Sequence, residues 1–219
     1  MSPPLLIFDM DGVLVDSEPI ANRIMHAHLA AVGVPMDLPA ATRAYIGRKM
    51  GFVVADIRAR FGIELPADFE RRCREDTLAA YETELKPVAG VRAAIEALAM
   101  PRCLASSSDP TRIARSLEIA GLGDLFAAAT RFSSTMVAHG KPAPDLFLLA
   151  AARMGNAPSE CLVIEDTKVG LEAARAAGMT ALAFAGAGHT PRGELEALAA
   201  RAFDRMDDLP GLVQSLASR

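Results

Sequence analysis

Short apolar runs recur along this chain, at residues 5–8, 102–105, 161–164 and 180–184, and none of them alternates apolar with polar side chains. A strand with one wet face must alternate, because successive side chains point to opposite sides of the sheet. Runs without alternation are strands covered on both faces, the condition of a parallel sheet layered between helices. Weaker strand candidates lie at 127–132 and 202–204. Between them, segments 91–99, 110–120, 144–154, 169–177 and 194–200 are rich in alanine and leucine, and Gly121, Gly155 and Gly178 stand just past three of their ends. These segments read as helices. Strand and helix thus alternate from about residue 87 onward, which predicts an α/β fold with a Rossmann-like, doubly wound parallel sheet.

One interval breaks the alternation. From Asp16 to Lys86 there are helical stripes without a convincing strand. Ile20, Ile24, Ala27 and Ala31 follow a Ser17 cap; Val53, Ile57 and Phe61 run up to Gly62; Leu78, Tyr81 and Leu85 share a face of a helix opened by Pro66. Each stripe reads as packing surface. The expected organisation is a core domain of residues 1–15 and 87–219, with residues 16–86 inserted as an all-helical domain. The chain returns to the sheet through "LKPVAG", where Pro87 and Gly90 suit a hinge.

Net charge and cysteine usage exclude some functions. A formal charge of −4 argues against nucleic acid or an anionic membrane as the main partner, so any positive charge that matters is local. No apolar run approaches the ~18 residues of a membrane span. The first apolar run breaks at Asp9 and has no basic region before it, so no secretory signal is expected. Cys73, Cys103 and Cys161 are odd in number and lack metal-ligand spacing, which fits a reducing compartment. The expectation is a cytoplasmic monomer with no membrane partner.

The first strand ends in two acids, Asp9 and Asp11, followed by Gly12. In open parallel sheets ligands bind at the carboxyl ends of strands. Taken alone, the pair serves equally as ligands or as caps of a turn. A helix–loop–helix calcium site is excluded, since that loop wants an oxygen ligand fifth and glycine sixth, whereas Val13 and Leu14 stand there. The other strand ends add weight. Run 102–105 finishes in Ser106, Ser107 and Ser108 before Asp109-Pro110, a place for an anion or a plain serine cap. Run 161–164 finishes in Glu165-Asp166, two acids that are costly at a buried strand end unless paired or metal-bound. Lys141 lies between Gly140 and Pro142 in "HGKPAPD". A phosphate monoester brings up to about −2, four acids add up to −4, and Lys141 supplies one positive charge. Like charges about 4 Å apart cost on the order of 4 kcal/mol at an effective dielectric near 20. Such a site needs a divalent cation, and all-oxygen ligation favours Mg2+.

"DMDGVLVDSE", "LASSSD", "GKPAPDLF" and "VIEDTKVG" resemble, in order and spacing, the four motifs of the haloacid dehalogenase superfamily. The resemblance covers nearly the whole chain and is greatest to the branch of β-phosphoglucomutase and small sugar-phosphate phosphatases, in which a helical cap follows the first motif. It implies a magnesium-dependent phosphatase acting on a small phosphorylated metabolite such as a sugar, sugar-acid or polyol phosphate. Asp9 would be the nucleophile forming an aspartyl-phosphate, and Asp11 the general acid and then base. Ser106 and Lys141 match the phosphate-holding positions, assisted by the backbone of Met10 and Ser107. Asp9, the Asp11 carbonyl, Glu165 and Asp166 match the magnesium shell. Asp11 departs from the dehalogenases, which lack an acid at that place, and "DMDGVLVDSE" shows no sign of phosphonate-cleaving chemistry.

A phosphosugar mutase is the alternative. The mutase carries a histidine five residues after the acid matching Asp16, where this chain has Ala21, and an arginine where it has Met50. Both departures favour the phosphatase, although Arg48 and Lys49 supply cations next to Met50. In the cap, "YIGRKMG" resembles the specificity loop, so Gly47, Arg48 and Lys49 are candidate substrate contacts or, equally, a solvated charge pair. His189, in "GAGHT", reads as a surface histidine or a site contact. A non-enzyme alternative is a phospho-acceptor of the response-regulator kind or a catalytically silent member. Receivers are about half this length and lack the helical insert, and the expected nucleophile and metal acids are all present.

Overall fold

Residues Leu5–Phe8 form strand β1, and all four side chains are buried. The structure, a computed structural model, describes residues 4–45, 48, 50–188 and 190–217. The chain divides into two compact units, Met1–Asp16 with Lys86–Arg219, and Ser17–Leu85.

The second unit is helical: α1 (Glu18–Ala31), α2 (Leu38–Tyr45), α3 (Met50–Phe61) and α4 (Phe69–Glu84). Leu29, Tyr45, Val53, Ile57, Phe69 and Cys73 form its core, with Phe61 packed against them. Of the stripes predicted from spacing, Val53, Ile57 and Phe61 are a packing face, and Tyr81 and Leu85 are buried with Leu78 half-buried. The α1 stripe departs from expectation: Ile20 is buried, but Ala27 and Ala31 are exposed, and Leu29 is the α1 residue that enters the core. Two further local expectations differ. Ser17 precedes α1 but makes no capping bond with its side chain; its carbonyl accepts from Ala21 N–H and the Tyr81 hydroxyl instead. Pro66 lies in the turn before α4, where its carbonyl accepts from Phe69 N–H, and the helix starts three residues later.

In the first unit, β1 is followed, after the helical insert, by α5 (Val91–Glu96), β2 (Arg102–Ser106), α6 (Pro110–Ile119), β3 (Arg131–Ser133), α7 (Asp145–Met154), β4 (Cys161–Glu165), α8 (Lys168–Ala176), β5 (Thr180–Phe184), α9 (Arg192–Glu196), β6 (Arg201–Phe203) and α10 (Leu209–Ala217). The six strands form one sheet in the order β3-β2-β1-β4-β5-β6, every neighbouring pair parallel. This is the doubly wound sheet that the non-alternating runs required. Leu5 and Ile7 pack on one face with Phe147 and Ala150 of α7 and Leu171 and Ala174 of α8. On β1 the Phe8 ring meets Phe126 edge-on at 5.8 Å. Pairing of Phe8 with both Leu104 and Ile164 brings the carboxyl ends of β1, β2 and β4 to the same edge of the sheet, β2 running on to Ser106 and β4 to Glu165. Strand order reverses between β1 and β4, which opens the crevice where such sheets bind ligands.

Boundaries depart from expectation at several places, among them the helix predicted at 91–99, which ends at Glu96. The strand predicted at 127–132 is a 3-10 turn, Ala128–Thr130, followed by β3. Alanine is a poor strand former, and the Arg131 guanidinium pins the turn by donating to the carbonyls of Gly123 and Phe126. The helix predicted at 194–200 starts earlier, after Pro191, and ends at Glu196, because the Ala200 N–H is already committed to the Ala181 carbonyl of β5. Helix α10 was not anticipated; Pro210 and Gly211 in its first turn hide the pattern. Among the described residues no helix is long and apolar enough to cross a membrane.

Phe8 is fully buried, so Phe8→Ala should lower the unfolding free energy by about 3–5 kcal/mol in urea titrations. Phe52→Ala, at an exposed position, should stay within about 0.5 kcal/mol. Equal effects would contradict the packing described.

Candidate active site

Asp9 is the first residue past β1, and its N–H donates to the Ile164 carbonyl of β4 at 3.0 Å. That bond fixes the backbone of the acid against the neighbouring strand. Lys141 reaches the same place from the loop before α7, its side chain only 4% exposed. Its Nζ donates to Asp9 Oδ1 at 2.7 Å, to Glu165 Oε1 at 2.8 Å and to the Ala105 carbonyl at 3.1 Å. It also lies 4.8 Å from the centre of the Phe147 ring, within cation–π range. One ammonium thereby ties together the ends of β1, β2 and β4.

Glu165, the last residue of β4, is held from the other side. Its Oε2 accepts from Asp166 N–H, Thr167 N–H and Thr167 Oγ1, each at 2.8 Å. Thr167 Oγ1 in turn accepts from Gly170 N–H and caps α8. Gly170 has a steric reason to be glycine, since a Cβ there would lie 1.7 Å from Glu165 Oε1.

These contacts divide the charge unequally. Burial by itself raises Glu165, but the Lys141 charge and the donors from Lys141 and Thr167 outweigh it and hold this carboxyl below its usual range. Burial pushes Asp9 up to about 7; Lys141 pulls against it, and the nearby Glu165 charge raises it further. Burial likewise works against the Lys141 charge, yet the two carboxylates keep its pKa above the usual lysine value. The ammonium and the donors thus satisfy Glu165 first, leaving Asp9 as the carboxylate short of positive charge.

Carboxylate oxygens of Asp9, Glu165 and Asp166, all buried, lie within 4.8 Å of one another. Three hard oxygen donors with a single ammonium among them fit a divalent cation, which would supply the charge that Asp9 lacks.

The serine cluster forms the third wall. Ser106 closes β2, is buried, and accepts the Ser108 N–H on its Oγ at 3.1 Å. The following loop is tied to the end of β3: Ser133 Oγ donates to the Ser108 carbonyl and Ser134 Oγ to the Ser107 carbonyl, both at 2.7 Å. Asp11 faces this loop, its Oδ2 accepting from Ser108 Oγ at 3.1 Å and its Oδ1 from Arg112 Nη2 at 2.7 Å.

The predicted residues divide accordingly. Asp9, Lys141, Glu165 and Asp166 come together, with Ser106 at the end of neighbouring β2. Met10 is buried, and its carbonyl accepts from Leu14 and Val15 N–H in the turn that follows β1. Ser107 is exposed, with its carbonyl held by Ser134. Arg48 is exposed and stacks over Phe52 at 4.9 Å; Gly47, Lys49 and His189 lie outside the described residues. Sequence reasoning missed Arg112, Ser133 and Ser134 altogether. For Arg112 a signal existed, because a cation in the first turn of a helix opposes the helix dipole and calls for another reason.

A family model of haloacid dehalogenase-like hydrolases matches residues 3–178. The chain is 32% identical over 181 residues to a fructose-1-phosphate phosphatase of Escherichia coli (strain K12), taking in 81% of this chain and 94% of that protein. It is 33% identical over 194 residues to hexitol phosphatase A of the same organism, with 85% of each chain covered. Among solved structures, a haloacid dehalogenase-like protein of unknown function from Agrobacterium tumefaciens str. C58 superposes with a TM-score of 0.91 at 33% identity, covering 99% of this chain and 100% of that one.

Replacing Gly by Ala inside a helix ordinarily gains about 0.5–1 kcal/mol. At Gly170 the sign should reverse, because the new methyl group expels the Glu165 carboxylate from its donors, with a net loss of about 1–3 kcal/mol in urea unfolding. A Gly170→Ala protein as stable as the parent would mean the carboxylate is not held there.

Proposed function

The chain belongs to the haloacid dehalogenase-like hydrolases, and on that premise we propose that it is a phosphatase of small phosphorylated sugars or polyols that carries the phosphoryl group on Asp9. The observation behind this reading is the buried Asp9 carboxylate, held by Lys141 at the strand-order switch beside Glu165 and Asp166.

Phosphoryl transfer asks for an in-line oxygen nucleophile, positive charge around the equatorial oxygens, and a proton for the leaving alcohol. Asp9 is the nucleophile. Its fixed backbone, and an ammonium on one of its two carboxylate oxygens, leave the other for phosphorus. Lys141 and the Ser106–Ser107 loop hold the phosphoryl oxygens, with the Met10 backbone assisting. Asp11 gives its proton to the leaving oxygen and takes one back from the water that attacks the aspartyl-phosphate. Asp9, the Asp11 carbonyl, Glu165 and Asp166 are the groups that would hold Mg2+, which when bound supplies positive charge against the transferring phosphoryl group. The helical unit is assigned the role of substrate-selecting cap. Every group invoked comes from one chain, so the reaction asks for no partner subunit.

Fructose 1-phosphate and hexitol phosphates should release inorganic phosphate in the presence of magnesium, and EDTA should stop the release. Asp9→Asn should reduce it to background; full activity in that variant would sink the proposal. Glucose 6-phosphate should not form from β-glucose 1-phosphate, and its formation would replace the phosphatase reading with the mutase.

Magnesium should also stabilise the fold. At about 100 times its Kd a single-site ligand contributes about 2.7 kcal/mol, which for a chain of this size raises Tm by roughly 5–10 °C. Asp166→Asn should lose most of that shift in differential scanning fluorimetry. An unchanged shift would remove Asp166 from the cation site.

A further inference from the structure

The Asp11 carboxylate is gripped at both oxygens by one short stretch of chain, Arg112 at Oδ1 and Ser108 at Oδ2. Both donors are themselves fixed. Arg112 lies in the first turn of α6, and its N–H donates at 3.0 Å to the side chain of Asp109, the residue that caps the helix. Ser108 is held through its N–H by Ser106 and through its carbonyl by the fully buried Ser133. The Arg112–Asp11 pair is sheltered, with side chains 28% and 23% exposed. Helix energetics do not account for the arginine, since its charge opposes the dipole at that position.

We propose that Arg112, seconded by Ser108, is a positioning residue that fixes the rotamer from which the Asp11 carboxyl group meets the leaving oxygen. The inference rests on the reading of Asp11 as the acid. In the first half-reaction the Asp9 oxygen–phosphorus bond forms, the bond from phosphorus to the leaving oxygen breaks, and the Asp11 proton goes to that oxygen. In the second, a water oxygen bonds to phosphorus, its proton passes to Asp11, and the Asp9–phosphorus bond breaks. An alkoxide needs the proton as it departs; p-nitrophenolate leaves without it. Because kcat/KM reports only steps through departure of the leaving group, loss of position should be felt by alkyl esters alone.

The test compares kcat/KM for fructose 1-phosphate and p-nitrophenyl phosphate. General acid catalysis is worth about 10²–10⁴-fold, so Arg112→Leu should lose about 10–100-fold on the sugar phosphate and stay within about threefold on the aryl ester. Arg112→Lys should recover part of the loss, and Ser108→Ala should move the ratio the same way by less. The lysine and alanine variants carry the comparison should the leucine variant fail to fold. Equal losses on both substrates, no loss on either, or a rise in KM for the sugar phosphate at unchanged kcat would each overturn the proposal. Asp11→Asn, measured alongside, separates the two levels. If it leaves the substrate ratio unchanged, Asp11 is not the acid; if it moves the ratio while Arg112→Leu does not, only the positioning role falls.

Discussion

A single buried ammonium is the constraint on which the rest of this structure depends. Lys141 bridges Asp9 and Glu165, residues that leave neighbouring parallel strands, and donates a third bond to the Ala105 carbonyl of another. Taking ions out of water costs several kcal/mol each, and removing one partner of a buried pair leaves an uncompensated charge worth about 3–5 kcal/mol. The arrangement persists because the sheet over-determines it. β1 is paired on both sides and fully buried, so Asp9 has little freedom to retreat to solvent. The site is an electrostatic mismatch held in place by a hydrophobic scaffold.

That mismatch is also what suits the site to phosphate chemistry. Glu165 is already satisfied by four donors, whereas Asp9 shares the ammonium and is destabilised by burial. The charge deficit therefore falls on the carboxylate proposed to attack phosphorus, beside oxygen donors that fit a divalent cation. Asp11, two residues further on, faces a different environment: an arginine and a serine hydroxyl on the opposite wall. Two acids separated by one residue are thus given separate partners, which is what nucleophilic and proton-transfer roles require.

The second and third strands contribute through hydroxyls rather than charges. Ser133 and Ser134 donate to the carbonyls of Ser108 and Ser107, so the loop after β2 is set by the strand beside it. Those carbonyls lie in a turn and have no place in the sheet ladder, and the serine donors satisfy them where a helix or strand would otherwise have done so. The loop's own hydroxyls and N–H groups are then left oriented by the scaffold.

Much of this was written in local patterns. Non-alternating runs determined a parallel sheet covered on both faces, helical spacing marked the insert, and Asp9, Glu165 and Asp166 stood at strand ends where such a sheet binds ligands, with Lys141 in the loop before a helix. Periodicity and strand-end position are properties of a few adjacent residues, so the sequence carries them directly. Tertiary structure alone decided that Arg112 belongs to Asp11, 101 positions away, and that Ser133 braces Ser108. It also decided that the tract at 127–130 turns rather than pairs. Each of these depends on which donors reach which acceptors once the strands are in register, and distance in the chain says nothing about that.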